Sequence, residues 1–328
     1  MGKKIFVTGA NGFIGRRLVP MLVQRGYEVT CLVRDPEKSS VLKLPDVTLV
    51  KGDITDRESM REAMKDSKAV FHLAGWYAIG NHDKIKMNAI NVQGARNTLE
   101  LAAELGVAKI LHTSTVGVFG NTHGKAPDES YRVPKEEMGS EYELTKWLAH
   151  YEVAEVLQKK GAPVIILQPG GVTGAGDEAP HVLTFKMFLQ KMPVMMGAKS
   201  GLTFAHVDDI AEGHILAFEE GKVGESYILA GDAITYKQVF ELAEKLTGIR
   251  ATKLWAPGWA AGFSSTLVGL LEKLGLRIAF SSEALATLND YTFWGNSEKA
   301  KRELGWKLRP IEETLKEILT TLSVTSKK

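Results

Sequence analysis

Residues 4–25 hold the feature that most narrows the folds open to this chain. The apolar, β-branched run KIFVT passes into TGANGFIG, with Gly9, Gly12 and Gly15 three residues apart, and then into a helical pattern near 13–25. A strand that ends in a tight glycine turn and feeds a helix is the opening of a βα unit, and parallel strands require such crossovers. The rhythm repeats. EVTCLVR (28–34), VTLVKGD (47–53), AVFHLAG (69–75), AKILHTST (108–115) and APVIILQPG (162–170) read as strands, several apolar almost throughout, as strands covered on both faces must be. Helical patterns lie between them near 56–65, 84–105 and 141–160, with Gly106 a candidate left-handed cap.

The expected architecture is therefore α/β: a Rossmann-type doubly wound parallel sheet. After about residue 170 helices dominate and only 202–207 and 225–230 read as strands. Residues 1–170 are expected to form the sheet domain and 171–328 a smaller, mostly helical substrate domain that interleaves with it. Two late helices are expected near 297–304 and 310–322, before the polar tail SVTSKK.

Charge and cysteine usage limit the partners. Lys and Arg total 41 against 39 Asp and Glu, a net charge of +2, so bulk electrostatics give no reason to expect nucleic acid or an anionic membrane, although a local basic patch can hide within such a balance. Cys31 is the only cysteine, which excludes an intrachain disulfide and a multi-cysteine zinc site. No metal is expected, and a reducing, cytoplasmic setting fits best. The opening apolar run is too short and glycine-broken for a secretory signal. Residues 254–271 carry no charge over 18 positions, the lower limit for a spanning helix. Pro257, Gly258, Gly262 and Gly269 interrupt them, so a buried or pocket-lining helix is expected and stable membrane insertion is not.

At the first strand–helix junction the glycines suit a dinucleotide. Gly9 permits the turn, Gly12 lets backbone approach a pyrophosphate, and Gly15 lets the helix pack close. Asn11, Phe13 and Ile14 complete the loop, and the helix N-terminus offers free N–H groups to phosphate. The end of the second strand reads VRDPEK, with Arg34 at the terminus and Lys38 nearby. A guanidinium fork suits the 2′-phosphate of NADP, whereas NAD calls for a carboxylate there. NADP is the expected cofactor and NAD the lesser alternative. Asp53 and Ile54, after the third strand, are placed to flank an adenine, although Asp53 as a plain loop carboxylate is nearly as good a reading.

YELTK sets Tyr142 and Lys146 one helical turn apart on one face. A free phenol titrates near 10, and bringing it to neutrality takes about 4 kcal/mol of preferential anion stabilisation. One cation at about 4 Å supplies that at an effective dielectric of about 20. A bare Tyr-x-x-x-Lys pair is common by chance; its place between the fifth and sixth strands of a dinucleotide fold gives it meaning.

With these motifs on the page, the chain resembles the extended short-chain dehydrogenases/reductases along nearly its whole length. Thr8–Gly15 matches the family's T-G-x-x-G-x-x-G, Asp53 its acidic residue after the third strand, and HLAG (72–75) its H-x-A-A, with Gly75 replacing the second alanine. The resemblance implies that Leu73, Ala74 and Gly75 line the cofactor, as do Pro169, Gly170 and Val172 in QPGGVTGAGD, which is similar to R-P-x-x-V-Y-G-P-G-D. NVQGARN resembles N-V-x-G-T-x-N, implying Asn91 as a fourth catalytic residue that supports the lysine through water. STVGVFG resembles S-S-x-x-V-Y-G, implying Thr115 as the catalytic hydroxyl with Ser114 in reserve. FAHVDDIAEG resembles an element of the family's second domain. The family implies a small-molecule substrate and a homodimer built on the helices near 84–105 and 141–160, both contributing to a four-helix bundle.

Two branches of the family compete. Nucleotide-sugar epimerases and dehydratases usually carry R-D-x-x-H-V-x-D, where this chain has LTFAHVDD, with Leu202 in place of the arginine that grips phosphates. The other branch resembles dihydroflavonol reductases and 3β-hydroxysteroid dehydrogenases, and VRDP matches the dihydroflavonol reductase pattern. The favoured expectation is an NADP-dependent reductase of a ketone or aldehyde on a small, fairly apolar substrate, with Tyr142 as general acid, Lys146 lowering its pKa and holding the nicotinamide ribose. The alternatives are a nucleotide-sugar epimerase or dehydratase, and a non-catalytic NADP sensor, which the intact Tyr/Lys pair disfavours.

Overall fold

The computed structural model describes residues 3–80, 83–273 and 281–325. Its centre is a parallel sheet of β1 (Lys4–Thr8), β2 (Glu28–Val33), β3 (Val47–Lys51), β4 (Ala69–His72), β5 (Lys109–Thr113), β6 (Val164–Pro169) and a seventh strand, Ser226–Leu229. The order runs Ser226–Leu229, β6, β5, β4, β1, β2, β3. The chain winds one way from β1 to β3 and the other from β4 to β6, so the strand order reverses between β1 and β4, the place where a doubly wound sheet opens a crevice at its strands' C-terminal ends.

Alternation along each strand fills two layers. Ile5, Val7, Val29, Cys31 and Leu111 pack under helices Gly15–Gln24 and Val207–Glu219. Phe6, Val70, Ile110 and Ile166 pack on the opposite face, with Leu99 and Val153 from the long helical segments 84–104 and 141–159. Both segments contain a widened turn, at Ala89–Gln93 and Leu148–Ala154. Such insertions rotate the following side chains and are frequent at functional sites.

Beyond residue 170 the chain is less uniformly helical than its pattern suggests. Strand Gly201–His206 lies in a small mixed sheet with Gly171–Thr173, Ala233–Thr235 and Thr292–Phe293, and Val194–Met195 pairs with Leu254–Trp255. These additional strands are two or three residues long, too short for alternation to register in a sequence. The last residues of the polar tail, 326–328, lie outside the described residues. Helix Val207–Glu219 carries Asp208 and Asp209 in its first turn, but its cap is His206, whose Nδ1 accepts from the Asp208 N–H at 3.1 Å. Asp209 instead receives both Nε and Nη2 of Arg309, while its carbonyl accepts from Trp306. Of residues 254–271 the first two form the strand Leu254–Trp255 and the helix starts only at Gly258, running Gly258–Lys273. Its largest apolar side chains are exposed rather than buried, because the face that packs inward is the one made of small residues such as Ala261 and Ser265.

A Cβ at Gly15 would lie 2.4 Å from the Gly9 carbonyl oxygen and 2.6 Å from that of Ala10, with only backbone to give way. Gly15→Ala should therefore cost about 1–3 kcal/mol of stability, read as a lower urea midpoint with an unchanged slope.

Candidate active site

The glycine loop is pressed against the segment after β4. Gly9 has φ +74°, and a Cβ there would fall 2.6 Å from the Ala74 nitrogen and 2.7 Å from the Leu73 carbonyl carbon. Gly12 closes the turn by donating to the Gly9 carbonyl at 2.9 Å, and its Cβ would meet nothing else within 4 Å. The next residues, Phe13, Ile14 and Gly15, bring their N–H groups into the helix start, the positive end of the helix dipole. Backbone N–H groups gathered at a helix start are suited to an anion such as a diphosphate. Asn11 works sideways: its Nδ2 donates to Ser39 Oγ at 2.7 Å, and Ser39 donates to the Asp35 carbonyl, fixing the loop after β2. Arg34 at that strand end is exposed and makes no ion pair among the described residues. Lys38 is also exposed and lies 3.4 Å from the Asp35 carboxylate, which additionally accepts from the Glu37 N–H as a turn residue.

The other expected cofactor positions divide. Asp53 accepts from the N–H and hydroxyl of Thr55, both at 2.9 Å, as a loop-shaping carboxylate does. Ile54 is 7% exposed and its side chain fills the space that Gly94 leaves on the helix opposite, so it is committed to the core. Gly75 is exposed beside Asn91. Pro169 ends β6 buried, Gly170 has no room for a side chain against the Thr203 carbonyl, and Val172 is half-buried.

Ser140 caps the helix that bears Tyr142 and Lys146 by accepting from the Glu143 N–H. Lys146 is buried and its Nζ donates to the Thr113 carbonyl at 2.7 Å; burial pushes its ammonium down to about 8. The Tyr142 ring lies 4.6 Å from that of Tyr77. Burial first, and then the Glu143 carboxylate, push its phenol above the usual range. The depression expected from Lys146 is thus not what this arrangement gives: the lysine is held on a backbone carbonyl and its own charge is weakened. Thr115 is half-buried and accepts from the Gly117 N–H, whereas Ser114 is buried and bonded to His150 Nδ1 at 2.8 Å. Of the two hydroxyls, Thr115 is the one with free surface.

Asn91 sits in the widened turn at 89–93 with a full set of protein partners. Its Oδ1 accepts from the Trp76 N–H at 2.6 Å, and its Nδ2 donates to the Trp76 carbonyl and to Thr145 Oγ1. It joins the segment after β4 to the residue beside Lys146. His72 shares a 2.8 Å hydrogen bond with Thr8, while His112 stacks on His72 with both nitrogens unpartnered among the described residues.

Sequence reasoning missed Glu143 and Tyr291. Glu143 is buried next to Tyr142 in the chain and receives hydrogen bonds from Ser140, the Gly139 N–H and Tyr291, the last at 2.8 Å from 148 positions away. Its local signal was a carboxylate on an otherwise inward helix face; Tyr291 had none. Burial raises the Glu143 carboxyl against the lowering effect of these donors.

A dinucleotide cradle opposite a tyrosine, a lysine and a threonine hydroxyl at the switch point of a doubly wound sheet defines a nicotinamide-dependent short-chain dehydrogenase/reductase. Residues 5–230 match the model of the NAD-dependent epimerase/dehydratase family, and the chain belongs to that family. It is similar to a Synechocystis sp. protein provisionally named dihydroflavonol 4-reductase, 29% identical over 96% of this chain and 93% of the other. It also resembles cinnamoyl-CoA reductase 1 of Oryza sativa, 26% identical over 74% and 75% of the two chains. Among solved structures, gox2253 superposes with a TM-score of 0.84 at 30% identity over 99% of both chains. A Thermotoga maritima UDP-glucose 4-epimerase superposes at 0.73 with 23% identity over 98% of this chain and 99% of that one, a likeness of fold. The protein is an enzyme of this superfamily and uses a nicotinamide cofactor.

With Lys146 near 8, its ammonium is present below that pH and lost above it, whereas Tyr142 stays protonated throughout. Nicotinamide-dinucleotide binding by the free enzyme should weaken as pH rises through about 8. Fluorescence titration of the reduced cofactor on either side of that pH checks it; a flat profile contradicts the assignment.

Proposed function

We propose that the protein is an NADP-dependent carbonyl reductase that acts on a ketone or aldehyde of a small, mainly apolar substrate. The observation that carries this reading is Leu202. It occupies the position where sugar-nucleotide enzymes present a phosphate-gripping arginine, and it packs with the apolar cluster of Val182, Phe185 and Phe204. Relatives named as reductases of dihydroflavonol, cinnamoyl-CoA and a farnesylated quinoline oxide support the same direction.

A bound nicotinamide would supply the hydride. Gly9 to Gly15 would hold its diphosphate, and Lys146 its ribose. Thr115 donates a hydrogen bond to the substrate oxygen as negative charge develops there. Tyr142, held protonated, gives that oxygen its proton, leaving an alcohol. Residues 171–328 contribute the substrate wall, and the closure of that wall on the sheet domain is supported by the Tyr291–Glu143 contact.

Tyr142→Phe should lower turnover about 10²-fold or more while leaving cofactor affinity intact. The assay is oxidation of reduced cofactor against a panel of aldehydes, ketones and nucleotide sugars. Undiminished reduction by the variant sinks the mechanism, and turnover confined to nucleotide sugars sinks the substrate class.

The unpaired guanidinium of Arg34 supports NADP over NAD. Arg34→Ala should weaken NADPH binding roughly tenfold and leave NADH nearly unchanged, since a charge-assisted hydrogen bond is worth about 1.5–3 kcal/mol. Equal affinities of the parent enzyme for the two cofactors would refute the choice.

A further inference from the structure

Helix Gly258–Lys273 turns its small residues inward and its large apolar ones outward. Ala261 is fully buried, and Ser265 donates to the Ser282 carbonyl at 2.8 Å, fixing the helix on its neighbour Ser282–Ala286. On the opposite side Trp259, Phe263, Leu267 and Leu270 are 73, 67, 50 and 58% exposed. Their spacing of four, four and three places them on one stripe. The stripe continues through Ala256 and Pro257 into the strand pair Val194–Met195 and Leu254–Trp255, where Val194 and Leu254 are directly paired and both exposed. A monomeric surface rarely leaves contiguous apolar groups of this size uncovered.

The charges around the stripe are mainly basic, although Glu241 and Glu244 stand beside Lys253 and Trp255, and Glu272 lies in the last turn of the helix. The two segments joined by that strand pair, 179–207 and 245–271, contain no Asp or Glu at all. They do contain Lys186, Lys191, Lys199, Lys245, Arg250 and Lys253, all exposed. Of the nearest acids, Glu244 accepts from the Ala251 N–H, and Asp290 lies 3.9 Å from Lys199. In a chain whose net charge is only +2, this is a local concentration of positive charge around an apolar stripe. An aromatic and aliphatic face rimmed by lysines is the pattern of a helix lying in a membrane–water interface.

We propose that this face docks the enzyme peripherally on an anionic lipid bilayer, with Trp259, Phe263, Leu267 and Leu270 in the headgroup–acyl boundary and Lys191 and Lys253 against the headgroups. The helix lies in the interface and does not cross it; among the described residues none is long and apolar enough to span a membrane. Helix Ser282–Ala286, which carries the docking helix, reaches the catalytic region through Glu283, whose carboxylate accepts from the N–H groups of Gly80 and Glu141. The docked face is therefore tied to the start of the Tyr142 helix.

The test is co-sedimentation of the full chain with vesicles of phosphatidylcholine alone and of equimolar phosphatidylcholine and phosphatidylglycerol, at low and high salt. Binding is expected to the mixed vesicles only, and to fall in high salt as the charges are screened. Phe263→Ser with Leu267→Ser, and separately Lys191→Glu with Lys253→Glu, should each weaken it by more than about tenfold. Both pairs are exposed, so thermal midpoints should stay at the parent value, which separates lost docking from lost folding. No sedimentation with either vesicle, equal binding to both, or indifference to the charge reversals overturns the proposal. So does a parent protein that elutes as a dimer, becomes monomeric in the Phe263→Ser pair and ignores lipid, because the stripe would then be covered by a second copy.

Discussion

At Gly9 an ideal Cβ would lie 2.6 Å from the Ala74 nitrogen, so the loops after β1 and β4 meet backbone to backbone. The whole site is assembled outward from that contact. It sets the floor of the crevice where the strand order reverses. It also fixes the segment 73–76, whose last residue is clamped at both N–H and carbonyl by Asn91. Asn91 passes the constraint through Thr145 to the turn that bears Lys146. The glycine loop and Lys146, 137 positions apart, are thus linked by one backbone contact and one asparagine. A side chain at Gly9 would disturb the catalytic helix as well as the turn it sits in.

Much of this was legible in the sequence because it is local. A parallel strand covered on both faces writes itself as an apolar run, and a tight turn writes itself as glycine, so the six leading strands and the cradle could be placed. Tyr142 and Lys146 share a face by helix periodicity alone. What could not be read depends on partners far along the chain. Glu143 gains its meaning from Tyr291, and Asp209, in the first turn of helix Val207–Glu219, is the partner of Arg309. The widened turns at 89–93 and 148–154 have no sequence signature, yet they decide where Asn91 and His150 point. The side chain of Ile54 is set by another distant partner. Gly94, forty positions on, leaves the space its side chain fills, which no reading of the stretch after β3 shows.

The electrostatics of the site differ from the simple picture of a lysine that acidifies a tyrosine. Taking an ammonium out of water weakens the ammonium itself, and Lys146 responds by moving down to about 8 while bonding a carbonyl that cannot share its charge with Tyr142. Tyr142 meanwhile faces burial and a neighbouring carboxylate, both of which favour the neutral phenol. For an alcohol oxidation that starts by taking a proton, this is an unfavourable resting state. For carbonyl reduction, which starts with a proton to give, it is a suitable one.

Glu143 makes the remaining link. Its carboxylate is buried, and three donors compensate for the desolvation: Ser140 and the Gly139 N–H on its own side, Tyr291 from the C-terminal part. Two of the three are local, so only the Tyr291 hydroxyl comes from a distant part of the chain. Without the Tyr291 bond, which lowers the Glu143 carboxyl against its burial, Glu143 would hold a proton more tightly. A neutral Glu143 no longer raises the Tyr142 phenol by its charge. One carboxylate therefore joins Tyr291 of the C-terminal part to the helix that bears Tyr142 and Lys146, and its charge is one of the two causes that raise the Tyr142 phenol.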